Sequence, residues 1–235
     1  MPRHELRLTL HRGNPTSSQR HPTFTDRNGV LVDESSGWLS KIHFSPGVTR
    51  ATFALRDQSE FGRAGDAYMA KWVAGAVRVA LALVAPRVGG LLLHGAASSS
   101  GIALLGPSGA GKTTLARRLS GALCDDALLV FKRDRWRLSG TPVPGREGLP
   151  RSGAEATLAT LVHLVPAQPL AMAPLSEAQA LSALLQRVLY FTAPDAAFFA
   201  TAHDLVRSVR SYRLTSSLDD DVTPLLAASL AGRAA

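Results

Sequence analysis

The chain has 235 residues, enough for one ordinary domain or one domain with a small appendage. An apolar fraction of 46% against 19% charged residues excludes a disordered chain, and a single cysteine, Cys124, excludes an intramolecular disulfide. The net charge of +8 comes from arginines scattered between Arg3 and Arg233, with no helix-turn-helix signature, zinc spacing or aromatic stripe beside them, so nucleic acid is not the expected partner.

Met1 to Asp26 is polar and carries no apolar signal core, which makes the cytoplasm the expected location. Residues 1–62 read as a β-rich lead-in. Gly29–Asp33, Trp38–Phe44 and Thr49–Leu55 are short apolar runs between Asn28-Gly29, Ser36-Gly37 and Pro46-Gly47, a pattern that predicts a small antiparallel sheet. Residues 63–235 read as a larger α/β domain. It opens with a helix from Gly65 to Leu83, whose apolar stripe runs through Met69, Trp72, Val73, Ala76, Val77 and Ala80. The stretch from Trp72 to Leu93 is interrupted by Arg78, Pro86 and Arg87, so it reads as a core helix followed by a strand and not as a membrane span.

Leu91–Leu93 and Gly101–Leu105 predict two strands. Gly106-Pro107-Ser108-Gly109-Ala110-Gly111-Lys112-Thr113 then satisfies the phosphate-loop pattern G-x-x-x-x-G-K-[ST]. A buried strand before it and helix-forming residues Thr114–Leu119 after it give the order the chemistry needs, with loop amides aimed at a phosphate chain. Gly106, Ser108, Gly109, Ala110, Gly111, Lys112, Thr113 and Thr114 are therefore the expected nucleotide-binding residues. Asp125-Asp126 interrupts the next apolar run, Ala122–Phe131. Two carboxylates there are costly unless a cation pairs with them, and Mg²⁺ carried by ATP would serve. The other reading is a turn with solvated side chains.

Arg135–Leu138 is expected to form a hairpin with that run, making Lys132–Arg137 a basic hairpin, and Ser139–Ser152 is a Gly/Pro-rich loop. Leu158–Val165 predicts a strand. Ser176 and Gln179 resemble a capping box opening a helix through Leu181, Leu184, Leu185 and Val188. A further helix starts near Pro194 and ends near Val209, then come a strand at Tyr212–Leu214 and a last helix from Val222 to Leu230. Asp219-Asp220-Asp221 precedes that helix as a solvated cap.

Taken whole, Leu92-Leu93-His94-Gly95-Ala96-Ala97, the phosphate loop and Asp125-Asp126-Ala127 resemble the catalytic domain of HPr kinase/phosphorylase over about residues 89–131. Gly140-Thr141-Pro142 and the C-terminal strand-then-Asp segment look like the shorter HPr-kinase-like proteins. The resemblance implies an α/β phosphate-loop kinase core of the type shared with phosphoenolpyruvate carboxykinases, and a homo-oligomer. It also implies roles: Lys112 bridges β- and γ-phosphates, Thr113 and Asp126 hold Mg²⁺, Asp125 takes the proton from a serine hydroxyl, and His94 lies near the transferred phosphoryl group. Two positions depart from the family pattern. Thr114-Leu115 stands where an acidic residue usually follows the loop, and Arg146-Glu147-Gly148 is the nearest counterpart of the acidic-Arg-Gly signature.

The expected function is an ATP-dependent kinase acting on a hydroxyl, serine foremost, of a peptide or small protein, with no membrane or nucleic-acid partner. The alternatives are a kinase for free serine or a sugar, a transporter-type ATPase and a nucleotide sensor. The transporter reading lacks its Leu-Ser-Gly-Gly-Gln signature downstream, since Leu119-Ser120-Gly121 falls on the loop's own helix.

Overall fold

The computed structural model describes residues 5–13, 24–27, 30–33, 40–45, 48–56, 65–119, 121–143, 154–217 and 219–231. The expected boundary at 62/63 lies outside these residues, as do Asn28-Gly29, Ser36-Gly37, Pro46-Gly47 and Arg146-Glu147-Gly148. The chain divides into two compact units: Met1–Val88 with Tyr190–Pro194, and Gly89–Leu189 with Asp195–Ala235. The helix Gly65–Val84 thus groups with the N-terminal strands.

The first unit holds β1 (Glu5–Gly13), β2 (Phe24–Arg27), β3 (Val30–Asp33), β4 (Ser40–Ser45), β5 (Val48–Arg56) and α1 (Gly65–Val84), followed by a single 3₁₀ turn. Their order in the sheet is β1-β5-β4-β3-β2. β2 to β5 form the antiparallel meander expected from their spacing, but β1 pairs with β5 in parallel, Glu5 opposite Val48 and Gly13 opposite Arg56. The sheet is therefore mixed and not wholly antiparallel. A parallel partner cannot be reached through a hairpin, and here three strands intervene in sequence between β1 and β5. Ile42, Ala51 and Phe53 of the sheet bury against Ala76, Val79, Ala80 and Leu83, one helical stripe of α1.

The second unit holds β6 (Gly90–Ser98), β7 (Ile102–Leu105), α2 (Lys112–Arg118), β8 (Ala122–Cys124), β9 (Ala127–Lys132), β10 (Trp136–Gly140), β11 (Glu155–Thr157), β12 (Thr160–Pro166), β13 (Ala171–Pro174), α3 (Glu177–Leu185), α4 (Ala196–Ser208), β14 (Arg210–Ser216) and α5 (Thr223–Ala231). Its nine-stranded sheet runs β11-β10-β9-β6-β7-β12-β14-β13, with β8 on β6. β7, β12 and β14 are mutually parallel neighbours, and the remaining pairs are antiparallel.

Both faces of this sheet are covered. Ala103, Leu105 and Leu161 point to the core that includes Ala180 and Leu184 of α3 and Phe198, Ala202 and Leu205 of α4. Ile102, Leu104, Val162 and Leu164 point to a second core with Leu115 and Ala116 of α2, Val222 just before α5, and Leu226 of α5. Burial on both sides explains why Ile102–Leu105 is an uninterrupted apolar run with no alternation. The architecture is mixed α/β.

Several local signals act as the sequence requires. Ser176 and Gln179 form the complete capping box of α3, and Asp195 caps α4 by accepting from the Phe198 amide at 2.8 Å. One element ends early: α3 stops at Leu185, not Val188. Leu93 forms a β-bridge with Val188, the Leu189 amide donates to Leu92 O at 2.7 Å, and the His94 amide donates to Arg187 O at 2.7 Å. Edge pairing with β6 satisfies these groups in place of another helical turn. Among the described residues, no helix is long and apolar enough to cross a membrane.

Candidate functional site

The segment Gly106–Gly111 joins β7 to α2 as a tight loop at the carboxyl end of β7, with the Ala110 amide donating to Pro107 O at 3.2 Å. Gly109 and Gly111 have φ of +80° and +84°, values that a side-chain-bearing residue rarely adopts, so glycine at these positions lets the loop curl. Gly106 is buried, Ser108 and Gly109 are exposed, and Ala110, Gly111, Thr113 and Thr114 are half-buried. A segment of successive amides in this arrangement forms a concave anion site.

Lys112 is buried, and its Nζ donates to Gly106 O at 3.0 Å and Pro107 O at 2.8 Å. Its ammonium is pushed below the usual lysine range, first by burial and next by the charge of Arg187, while Asp126 pulls it back up. The lysine is folded onto its own loop in a positively biased setting, which an incoming phosphate would relieve.

β6 delivers the other side of the site. His94 lies opposite Ala127, and Gly95 opposite Leu105, so the Asp125-Asp126 turn, His94 and the start of the loop occupy adjacent strands. Gly95 is required by packing: a Cβ there would meet Leu105 Cδ2 at 2.7 Å and Leu104 O at 2.9 Å. Its amide donates to Asp126 O at 3.3 Å. His94 Nδ1 stands 3.1 Å from both Asp126 O and Asp126 Oδ1. The Asp pair is a two-residue turn between β8 and β9, as one of the two readings expected, but its side chains are not both solvated. Asp125 is 4% exposed, and Asp126 is half-buried at φ +72°, the left-handed region that Asp tolerates better than most residues.

Two residues that the sequence reading did not single out join the site. Arg187 follows α3, and its backbone is fixed against His94 by the edge pairing described above. Its charge is felt by both Lys112 and His163. His163 sits on β12 opposite Leu105 of β7, 6% exposed, and among the described residues its Nε2 has no hydrogen-bond partner. Burial holds its imidazole down to about 4, with Arg187 and then Arg213 adding to the effect. His163 lay hidden inside an apolar run and Arg187 in an expected helix, so neither carried a local signal.

On the other flank of the loop is a cleft of ≈ 240 Å³, lined by loop residues Gly109 to Gly111, by Thr114 and Leu115, and by Pro166 to Gln168 and Ser216-Ser217 at the ends of β12 and β14. Ligands of open α/β sheets settle at the carboxyl ends of parallel strands, which is where this cleft lies.

Thr113 and Asp126 offer a hydroxyl and a carboxylate, hard oxygen donors suited to Mg²⁺ that keeps waters and phosphate oxygens as its other ligands. Among the described residues, no group of three or more His, Cys, Asp or Glu side chains could hold a metal. The Asp219–Asp221 triplet belongs to local capping. Asp220 Oδ2 accepts from the Ser217 amide at 2.6 Å, and Asp221 Oδ1 accepts from the Thr223 amide at 3.1 Å, with hydrogen bonding to Thr223 lowering the Asp221 carboxyl. The basic hairpin is largely paired within the unit: Lys132 with Asp204 at 2.6 Å, and Arg133 and Arg137 with Glu155 at 3.0 and 3.1 Å.

No model of a known protein family matches the chain, and no curated protein matches it.

Proposed function

We propose that this chain is an ATP-dependent phosphotransferase of the HPr-kinase-like type, with a phosphate-loop kinase core, acting in the cytoplasm on a serine hydroxyl of a peptide or small protein. The observation that carries the reading is the convergence of the loop, Lys112, His94 and the Asp125-Asp126 turn on neighbouring strands. In this reading the loop amides and Lys112 hold the β- and γ-phosphates, and Thr113 and Asp126 are the metal-facing oxygens. Mg²⁺, when bound, supplies charge neutralisation on the phosphates.

Asp125 takes the acceptor proton. At 4% exposure it is the more buried of the two carboxylates, so in this reading the acceptor hydroxyl must displace the groups that cover it to reach it. His94, oriented by Asp126, stands beside the transferred group, and Arg187 adds positive charge where the transition state accumulates negative charge. A small hydroxyl compound, free serine or a sugar, is the alternative acceptor. The Ser139–Ser152 loop that would enclose it falls mostly outside the described residues.

The test is γ-phosphate transfer from labelled ATP and Mg²⁺ to a panel of HPr, candidate peptides, free serine, sugars and water. Label on a peptide or protein is the expected result. Release to water alone would replace the kinase with an ATPase or a sensor.

A further inference from the structure

The two flanks of the phosphate loop differ in charge, and that difference gives a bound triphosphate a direction. Lys112, Arg187, Asp126 and His94 crowd one flank. The cleft on the other flank has no charged and no aromatic residue among those lining it. Its walls are apolar at Ala110, Leu115, Pro166 and Ala167, with neutral polar groups on Gln168, Ser216 and Ser217. Beyond the loop's own amides the lining offers a phosphate no charge, so the part of the cleft away from the loop suits the uncharged end of a ligand.

We infer that this cleft holds the nucleoside of the triphosphate, with Pro166–Gln168 and Ser216-Ser217 as the chain's own base- and sugar-contacting segments; the inference rests on the nucleotide reading of the loop. Connectivity fixes the orientation. In a phosphate loop the lysine reaches the β- and γ-phosphates, and the remainder of the loop and the start of its helix cradle the phosphates nearer the sugar. Gly109 to Gly111, Thr114 and Leu115 line both that end of the loop and the cleft.

Size agrees with a partial occupant. Whole-ligand pockets run from about 300 to 1,000 Å³, so ≈ 240 Å³ suits a nucleoside whose phosphates lie outside on the loop. The far wall is anchored before any ligand arrives. The Ala167 amide donates to Ser216 O at 3.3 Å, Thr215 Oγ1 donates to Pro169 O at 3.1 Å, and the Ser217 amide is capped by Asp220. An acceptor peptide is a poor fit to the same cleft, because its hydroxyl must meet the opposite end of the triphosphate.

Calorimetric titration of the full chain with Mg·ATP and with Mg·tripolyphosphate, which has phosphates but no nucleoside, tests the assignment. Wild type is expected to bind ATP about tenfold or more tightly than tripolyphosphate. Ala167→Trp, which fills the cleft from an exposed wall position, is expected to erase that preference and leave tripolyphosphate affinity unchanged. Ser217→Phe asks the same question from the β14 wall and replaces Ala167→Trp if circular dichroism shows that variant unfolded. An undiminished preference for ATP in the filled variant, or equal affinity for the two ligands in wild type, overturns the inference while tripolyphosphate binding still upholds the loop. A wild-type chain that binds neither ligand overturns the nucleotide reading itself and the nucleoside cleft with it.

Discussion

The two sides of the phosphate loop are built from different materials. Toward β6 and β9 the neighbours are ionisable: His94, Asp125, Asp126 and Arg187, with Lys112 on the loop itself and His163 buried on β12. In the cleft, Pro166–Gln168 and Ser216-Ser217 at the ends of β12 and β14 supply proline, alanine, glutamine and serine. Charge placed on one side only gives a bound polyphosphate a reactive end and an inert end. It also concentrates sensitivity to pH and to charge-removing mutations on the first side.

Lys112→Ala tests what the two sides share and should have the largest effect. Phosphoryl transfer is expected to fall by about 10²–10³-fold, and Mg·ATP affinity to fall with it, as read by transfer assay and calorimetry. Unchanged activity would take the loop out of the mechanism.

Next in size is the pH dependence of folding. The folded chain holds His163 near 4, below the 6.5 of an exposed histidine. Above pH 6.5 the group is neutral in both states and contributes nothing. As pH falls from 6.5 toward 4, the unfolded chain binds a proton that the folded chain does not, so stability drops, by about 3 kcal/mol over the interval. Urea midpoints measured across that range should fall, and His163→Phe should flatten the curve. A wild-type curve that is already flat would show that His163 is not held neutral.

Asp125→Asn should cut transfer by ~10² while sparing ATP binding, which would separate the reacting carboxylate from the metal-facing Asp126. Equal loss of ATP binding and of transfer in Asp125→Asn would instead make Asp125 a metal ligand. Arg187→Met is expected to have the smallest effect, lowering kcat about tenfold with little change in KM. A KM effect without a kcat effect would make Arg187 a binding residue and blur the contrast between the two sides.

Much of this was written locally. The phosphate loop, the strand before it, the capping box at Ser176 and the hairpin from Ala127 to Gly140 each depend on residues a few positions apart, and each formed as its spacing demands. Asp125-Asp126 was visible as a pair, but the unequal burial of its two members was not. That inequality follows from a turn in which Asp126 takes a left-handed φ against β6.

What sequence alone determined here is the set of short-range devices: glycines where the loop must curl, polar caps where helices begin, and unbroken apolar runs where a strand is covered on both faces. Tertiary structure decided which distant groups meet. β1 joined β5 in parallel across three intervening strands, Arg187 left its helix to pair with β6, His163 came to rest buried on β12 opposite the last residue of β7, and three separate segments closed a cleft beside the loop. The physical reason is that local propensities act over one or two turns of chain. Strand partners and cavity walls are set instead by burying both faces of one sheet at once, a condition that no short segment can carry by itself.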